Sequence, residues 1–209
     1  MTGGEQQARR PGRRPGANET REAILVAARE AFAAHGYEKA TIRGIARAAG
    51  VDPALVHHFY GSKEEVFRAA VGDVLAPIAE AIDGPGHNAD PAEAGARLAS
   101  AIVALWEHEP TKGQLLGALR SAVTSETAAG LLRQIVRERA IGTIAASTDR
   151  PDAELRANLI GATIIGTSLV RHVLEVEPIS SLDERRLATV LAGAIGYYLG
   201  AELDEPRRA

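Results

Sequence analysis

The chain contains no cysteine. That excludes a disulfide framework, a thiolate metal site and a cysteine nucleophile, and makes a reducing cytoplasm the default setting. Aromatic residues are scarce, 4% of 209, with one tryptophan and one methionine. The apolar content rests on Ala, Leu and Ile, which favours helix over sheet. The longest uncharged runs are Ala157 to Val170 and Leu187 to Ala201, 14 and 15 residues. Both fall short of the roughly 18–20 needed to span a bilayer, so no membrane role is expected. The N-terminus has no apolar stretch of the signal-peptide kind. There is no G-x-S-x-G, no phosphate-cradling glycine loop followed by Lys-Ser/Thr, and no G-x-G-x-x-G, so nothing points to an enzyme. His57 and His58 are sequence neighbours, which diverge by about 100° on a helix. The other histidines, His35, His87, His108 and His172, are scattered. No metal and no cofactor is expected.

What the chain does have is concentrated in Thr41 to Lys63, TIRGIARAAGVDPALVHHFYGSK. Ile42, Ile45, Ala46 and Ala49 follow helical spacing and make one apolar face, with Arg43 and Arg47 on the other side. Gly50 stops that helix where positive φ is wanted, and Val51 plugs the corner. Asp52 is a good N-cap and Pro53 suits the first helical position, so a second helix opens there. Val56 and Tyr60 point inward, leaving Pro53, Ala54, His57 and His58 outward. Ser62 and Glu65 read as a capping box for the next helix. The pattern predicts a helix-turn-helix over 41–60, with a second helix long enough to lie along a major groove.

This stretch resembles the DNA-binding motif of the tetracycline-repressor (TetR) family of transcriptional regulators. Thr41, Ile45, Ala46, Gly50, Val51, Val56, Ser62, Lys63 and Glu64 match the family pattern, and the likeness is dense from about Asn18 to Leu75. One departure is the order Phe59-Tyr60, which puts Tyr60 in the inward position. The resemblance implies an all-α fold: a three-helix DNA-binding domain over 18–78, followed by a six-helix regulatory and dimerisation domain over 79–209. It implies a homodimeric repressor on a palindromic operator of double-stranded DNA, released by a small-molecule effector. Carried over position by position, Thr41, Arg43, Asp52, Pro53, Ala54, Leu55, His57, His58 and Lys63 are the candidate DNA contacts. Arg43 would read a base edge or a phosphate, or be an ordinary surface arginine; Lys63 would hold phosphate at a helix start.

The charge split fits such a reader. Residues 1–70 carry 11 Lys+Arg against 8 Asp+Glu, and residues 71–209 carry 13 against 19. A basic part would face phosphate and an acidic remainder would not. Residues 1–17, with Arg9, Arg10, Arg13 and Arg14, read as a disordered arm, either a solvated tail or a strand laid beside the recognition helix. Asn18 is the expected cap of the first helix, Gly36 its end. One long helix is expected from Ser62 to Ile82, kinked at Pro77. Asp83 to Asp90 is a break, and five more helices follow, the last opened by Ser181 and Glu184.

In the C-terminal part, Leu98, Ile102, Leu105, Trp106, Leu116, Leu119, Arg120 and Val123 are the candidate ligand contacts. Trp106 would form an aromatic wall and Arg120 would pair with an acidic group; the plain alternatives are a core tryptophan and a surface ion pair. Gly161, Ile164, Ile165, Ser168, Leu187, Val190, Leu191, Ala194, Tyr197 and Tyr198, on the two long uncharged helices, are the candidate dimer interface. Two rivals stay open: the same fold controlled without a small ligand, and a helical enzyme keeping a vestigial helix-turn-helix.

Overall fold

A computed structural model of the chain describes residues 16–82 and 90–203. The arginine-rich arm up to residue 15 and the expected break at 83–89 lie outside the described residues. Within them the chain is helical throughout, with no strand. The elements are α1 (Ala17–Lys39), α2 (Ile42–Ala48), α3 (Pro53–Tyr60), α4 (Lys63–Val74), α5 (Ala76–Ile82), α6 (Pro91–Glu107), α7 (Thr111–Thr124), α8 (Glu126–Val136), α9 (Gly142–Ala146), α10 (Ala153–His172) and α11 (Glu184–Gly200). A π turn, Arg137–Ile141, joins α8 to α9 without a break, so the described residues form ten continuous helices.

Nine were expected, and the difference lies at Pro77. Proline has no N–H to give to the carbonyl four residues back, so the ladder fails one turn upstream of it. Leu75 closes α4 with its N–H on the Val71 carbonyl, and α5 starts afresh at Ala76. Two expected caps also move. The first helix is capped by Gly16, whose N–H donates to Glu19 (3.0 Å), not by Asn18. The last is capped by Asp183, which accepts from the Arg186 N–H (2.9 Å), while Ser181 bonds to Glu177 instead. Aspartate two residues on simply outcompetes serine for the helix start.

The N-terminal head is α1 to α3 with the first turns of α4. Its core is an aromatic cluster made from three of the chain's few rings: Phe67 meets Phe32 (5.0 Å) and Tyr37 (5.2 Å) edge-on. Such pairs add about 0.5–1.5 kcal/mol beyond their buried area. Gly36, expected to end the first helix, instead kinks α1 at φ 71°, which brings Tyr37 to this cluster.

The body is α5 to α11. Here α11 packs mainly on α6, and Gly95 makes that approach possible: a methyl group there would lie 2.7 Å from the Ala192 carbonyl oxygen and 2.8 Å from the Gly196 nitrogen. The head meets the body where α1 crosses α7 and α4 crosses α8. Gly117 lets α7 ride on the α1 backbone, since a Cβ would sit 2.6 Å from the Ala33 Cα. Three polar ties cross this seam, one of them from Arg68 of α4 to the Gln134 amide oxygen of α8 (2.8 Å). The Tyr37 N–H donates to the buried Ser121 hydroxyl (2.9 Å), and Arg120 donates to the Ala33 carbonyl (3.1 Å).

Candidate nucleic-acid interface and buried cavity

The helix-turn-helix forms through local chemistry. Thr41 caps α2, its hydroxyl accepting from the Gly44 N–H (3.0 Å). At the turn, the Gly50 N–H bonds the Arg47 carbonyl (3.2 Å) and the Val51 N–H the Ala46 carbonyl (2.9 Å). This is the Schellman pattern, with Gly50 at φ 68° in the left-handed position and Val51 as its apolar plug. Asp52 then caps α3 by accepting from the Ala54 N–H (2.7 Å), with Pro53 at the first helical position.

The second helix is held from one side only. Val56 and Tyr60 are buried, and the Tyr60 hydroxyl donates to the Arg21 carbonyl (3.1 Å) while Arg21 lies over the ring. Burial raises the Tyr60 pKa, so the hydroxyl keeps its proton. Tyr60 therefore occupies the inward position, and Phe59 is half-buried against the ring of His58 (5.2 Å). Thr41, Arg43, Asp52, Ala54, Leu55, His57 and His58 are exposed and Pro53 half-exposed, with Leu55 at 39% a large apolar side chain left in solvent. Arg43 and Arg47 have no carboxylate partner among the described residues. The His57 Nδ1 sits 2.8 Å from the Gly61 carbonyl. A carbonyl only accepts, so Nδ1 carries the proton and Nε2 is the free ring nitrogen.

Lys63 is more constrained than a bare phosphate cation. Its ammonium lies 4.2 Å from the centre of the Tyr37 ring and 3.3 Å from the Glu38 carbonyl. The Tyr37 hydroxyl donates to Glu64 (3.1 Å), and burial first, then that bond, pushes its pKa up to about 12. The Glu64 carboxyl is lowered by backbone and Ser62 hydrogen bonds and by Tyr37. The Ser62 hydroxyl accepts from the Glu65 N–H (3.3 Å), one half of the expected capping box. An ammonium has three donors, so Lys63 is both oriented by the head and still able to bind outside it.

A second feature lies in the body. A cavity of about 110 Å³ is enclosed by α4, α5, α6, α7, α8, the π turn, α9 and α10, and every side chain on it is apolar. Of the candidate ligand contacts, Ile102, Leu105, Trp106 and Leu119 line it. Four other candidates do not. Leu98 is buried elsewhere in the core, Leu116 is half-buried off the cavity, Arg120 is exposed and tied to Ala33, and Val123 is 87% exposed. The helical period explains it: Leu115, Ala118 and Leu119 face the cavity from α7, so Leu116, Arg120 and Val123 fall on the next stripe round.

The opposite wall holds residues expected elsewhere. Gly161, Ile164 and Ile165 of α10, candidates for the dimer interface, line the cavity. Ser168, Leu187 and Leu191, from the same set, are buried inside the protomer, and Ala194 and Tyr198 are half-buried. Val190 and Tyr197 stay exposed, with Leu155, Leu169 and Val173 of α10 and its C-cap beside them in exposure. Val71, Leu75 and Ile78, legible only as inward-facing, complete the cavity wall from α4 and α5. No three His, Asp or Glu side chains come together to hold a metal ion among the described residues.

The family model described as "Bacterial regulatory proteins, tetR family" matches residues 24–70, and "Tetracyclin repressor-like, C-terminal domain" matches residues 92–199. The HTH-type transcriptional repressor AcnR of Corynebacterium efficiens is 39% identical over 67 residues, 32% of this chain and 36% of that protein. The HTH-type transcriptional regulator BetI of Rhizobium meliloti is 40% identical over 58 residues, 28% and 29% of the two chains. The chain thus spans about a third of the length of these relatives. A solved TetR-family regulator from Streptomyces coelicolor A3 is 32% identical, with TM-score 0.61 over 90% of this chain and 99% of that one. A TetR-like transcriptional regulator from Rhodococcus sp. RHA1, 21% identical with TM-score 0.59 over 91% and 100%, shares the fold. With the C-terminal model covering more than half of its residues and the N-terminal model falling on the helix-turn-helix, the chain belongs to the TetR family of transcriptional regulators.

Proposed function

We propose that the protein is a repressor that binds a palindromic operator as a homodimer and lets go when a small molecule fills the body cavity. The observation that carries this is the seating of α3: anchored inward by Val56 and Tyr60, capped by Asp52, and otherwise exposed. A short helix held this way enters a major groove, with phosphate contacts fixing its register and base edges giving specificity. Arg43 and Leu55 are the proposed base readers, and His57, His58 and Lys63 hold the backbone. The exposed apolar side chains of α10 and α11, Leu155, Leu169, Val190 and Tyr197, are the proposed dimer contact. A twofold axis there would set two reading helices about one DNA turn apart, ~34–36 Å.

The route from cavity to DNA is short in this reading. Helix α4, capped by Ser62 just after α3, supplies Val71 to the cavity wall, with Leu75 following at its C-cap. An occupant that displaces these side chains displaces α4, and both heads lose their common spacing on successive grooves.

The test is binding to duplex DNA from the region upstream of the protein's own gene, followed by fluorescence anisotropy at several salt concentrations. Lys63→Ala is expected to weaken all sequences about equally and to reduce the salt slope by about 1, whereas Arg43→Ala relaxes the preference at one base position. A chain that ignores duplex DNA at low salt, or that stays monomeric at micromolar concentration, overturns the proposal. Ligand control separates it from a same-fold regulator governed by concentration or a protein partner.

A further inference from the structure

The apolar cavity has a polar neighbour. A second hollow of about 380 Å³ lies against it, and Leu132, Val136, Ile141 and Ile165 line both. Those four side chains line the junction of the two hollows, with an apolar chamber on one side. On the other side the added lining is Ala122 and Ala129 together with four polar side chains: Arg133 and Arg137 from α8 and the π turn, Glu154 and Asn158 from α10. All four are exposed, so the outer hollow opens to solvent.

We propose that the pair of hollows takes an amphiphilic anion, a straight-chain carboxylate with its tail in the inner chamber and its head between Arg133 and Arg137. This names the ligand class for the effector site proposed above and rests on that reading. Three observations carry it. First, the inner chamber is lined almost wholly by apolar surface, so it suits an apolar fragment. A cavity of about 150 Å³ accommodates the six carbons of benzene, so about 110 Å³ holds a tail segment of roughly four carbons.

Second, the two arginines are unmatched. Arg29, Arg68, Arg156 and Arg171 each pair with a carboxylate. Arg133 and Arg137, among the described residues, pair with none, although they stand four apart on one helix face where like charges repel. Glu154 is the one carboxylate on the outer lining and lies across from them on α10; Asn158 donates its amide to the Glu154 carbonyl (2.7 Å). Two guanidiniums against one carboxylate leave the mouth positive, and a guanidinium fork suits a carboxylate.

Third, the helix is irregular at this spot. The π turn starts at Arg137, on the outer hollow, and ends at Ile141, on both, with Ala140 on the inner one. A turn widened by one residue shifts the faces, so the charged and apolar side chains are presented to adjoining spaces from one helix. Such π turns recur at functional sites. On α10, Glu154, Asn158 and Ile165 form one stripe, with Leu169 one turn beyond Ile165 at its end.

The experiment is calorimetric titration of the full chain, without DNA, with octanoate and with 1-octanol, which share a tail and differ in the head. Octanoate is expected to bind about tenfold tighter or better, a modest figure for an exposed, solvent-screened contact. The double variant Arg133→Ala/Arg137→Ala is expected to erase that ratio while leaving 1-octanol binding unchanged. Both side chains are exposed, so its melting temperature should match wild type. Equal binding of the two probes, a ratio that survives the double variant, or no binding of either overturns the proposal. Octanoate binding that leaves a DNA complex intact keeps the ligand class and sinks the effector reading; release of DNA by an uncharged molecule, with no octanoate binding, does the reverse.

Discussion

Ser121, only 1% accessible, joins the head to the body. Its hydroxyl donates to the Gly117 carbonyl (2.8 Å), which fixes its orientation, and accepts the Tyr37 N–H (2.9 Å) across the seam between head and body. Ser121→Ala removes the acceptor and leaves that N–H buried with nothing to receive it. The Gly117 carbonyl loses less, because it keeps its place in the α7 ladder. A buried donor left unsatisfied costs about 1–3 kcal/mol. Taking about 2 kcal/mol, a chain of this size should melt about 4–8 °C lower. The measurement is thermal unfolding at one fixed protein concentration, since assembly would shift the midpoint. Ser100→Ala is the control: that hydroxyl is exposed and bonds only within its own helix. Amide exchange at Tyr37 gives a second, local readout, expected to speed up by roughly thirtyfold for the same free energy. If Ser121→Ala melts with Ser100→Ala and Tyr37 stays protected, the seam is not held by this bond and the reasoning fails.

Three further outcomes are expected. Gly95→Ala should destabilise by about 1–3 kcal/mol through overpacking of α6 on α11, while Gly130→Ala, where a methyl meets nothing within 4 Å, should stabilise by up to about 1 kcal/mol; denaturant midpoints that move together would contradict this. Asp52→Ala should cost about 1 kcal/mol by removing the α3 cap and should weaken DNA binding as well, and an unchanged operator affinity would detach α3 from the interface. Stability should fall on acidification. Burial, and then Arg171 and Lys112 against the opposing charge of Glu107, hold His172 below its ordinary 6.5. The unfolded chain therefore takes up that proton first as pH falls through 6.5, and the folded state loses ground. Glu107 adds to this below its ordinary 4.5: burial raises it, but the Arg171 bonds (2.7 and 3.0 Å) and charge, with His172 and Lys112, hold it lower on balance. His172→Gln should shrink the drop in melting temperature between pH 7.5 and 5.5, and an unaltered drop would place the effect elsewhere.

The helix-turn-helix was legible because all of its determinants are local. Thr41, Gly50, Asp52 and Pro53 act on backbone within five residues of themselves, and Val56 and Tyr60 mark a face by their spacing. Pro77 announced a break for the same reason, though the break falls two residues earlier than the proline. The body was legible only as helices. On α10, Gly161 and Ile164 read as an outer face, yet they line a cavity inside the protomer, and Ile165, also on that cavity, is still 39% exposed. A helix apolar on most sides carries no periodic signal to say which side is inward, and the choice belongs to the neighbours that pack on it. The same holds for Arg156, 2% exposed, which spends its charge on Asp152 and on the Tyr198 and Ala201 carbonyls at the end of α11. By itself, then, the sequence determined where helices start and stop and which short helix faces outward, since caps, turns and prolines act within a few residues. Tertiary packing alone decided where the cavity lies, which arginines go unpaired at its mouth and what ties the head to the body, because each depends on residues that are distant in the chain.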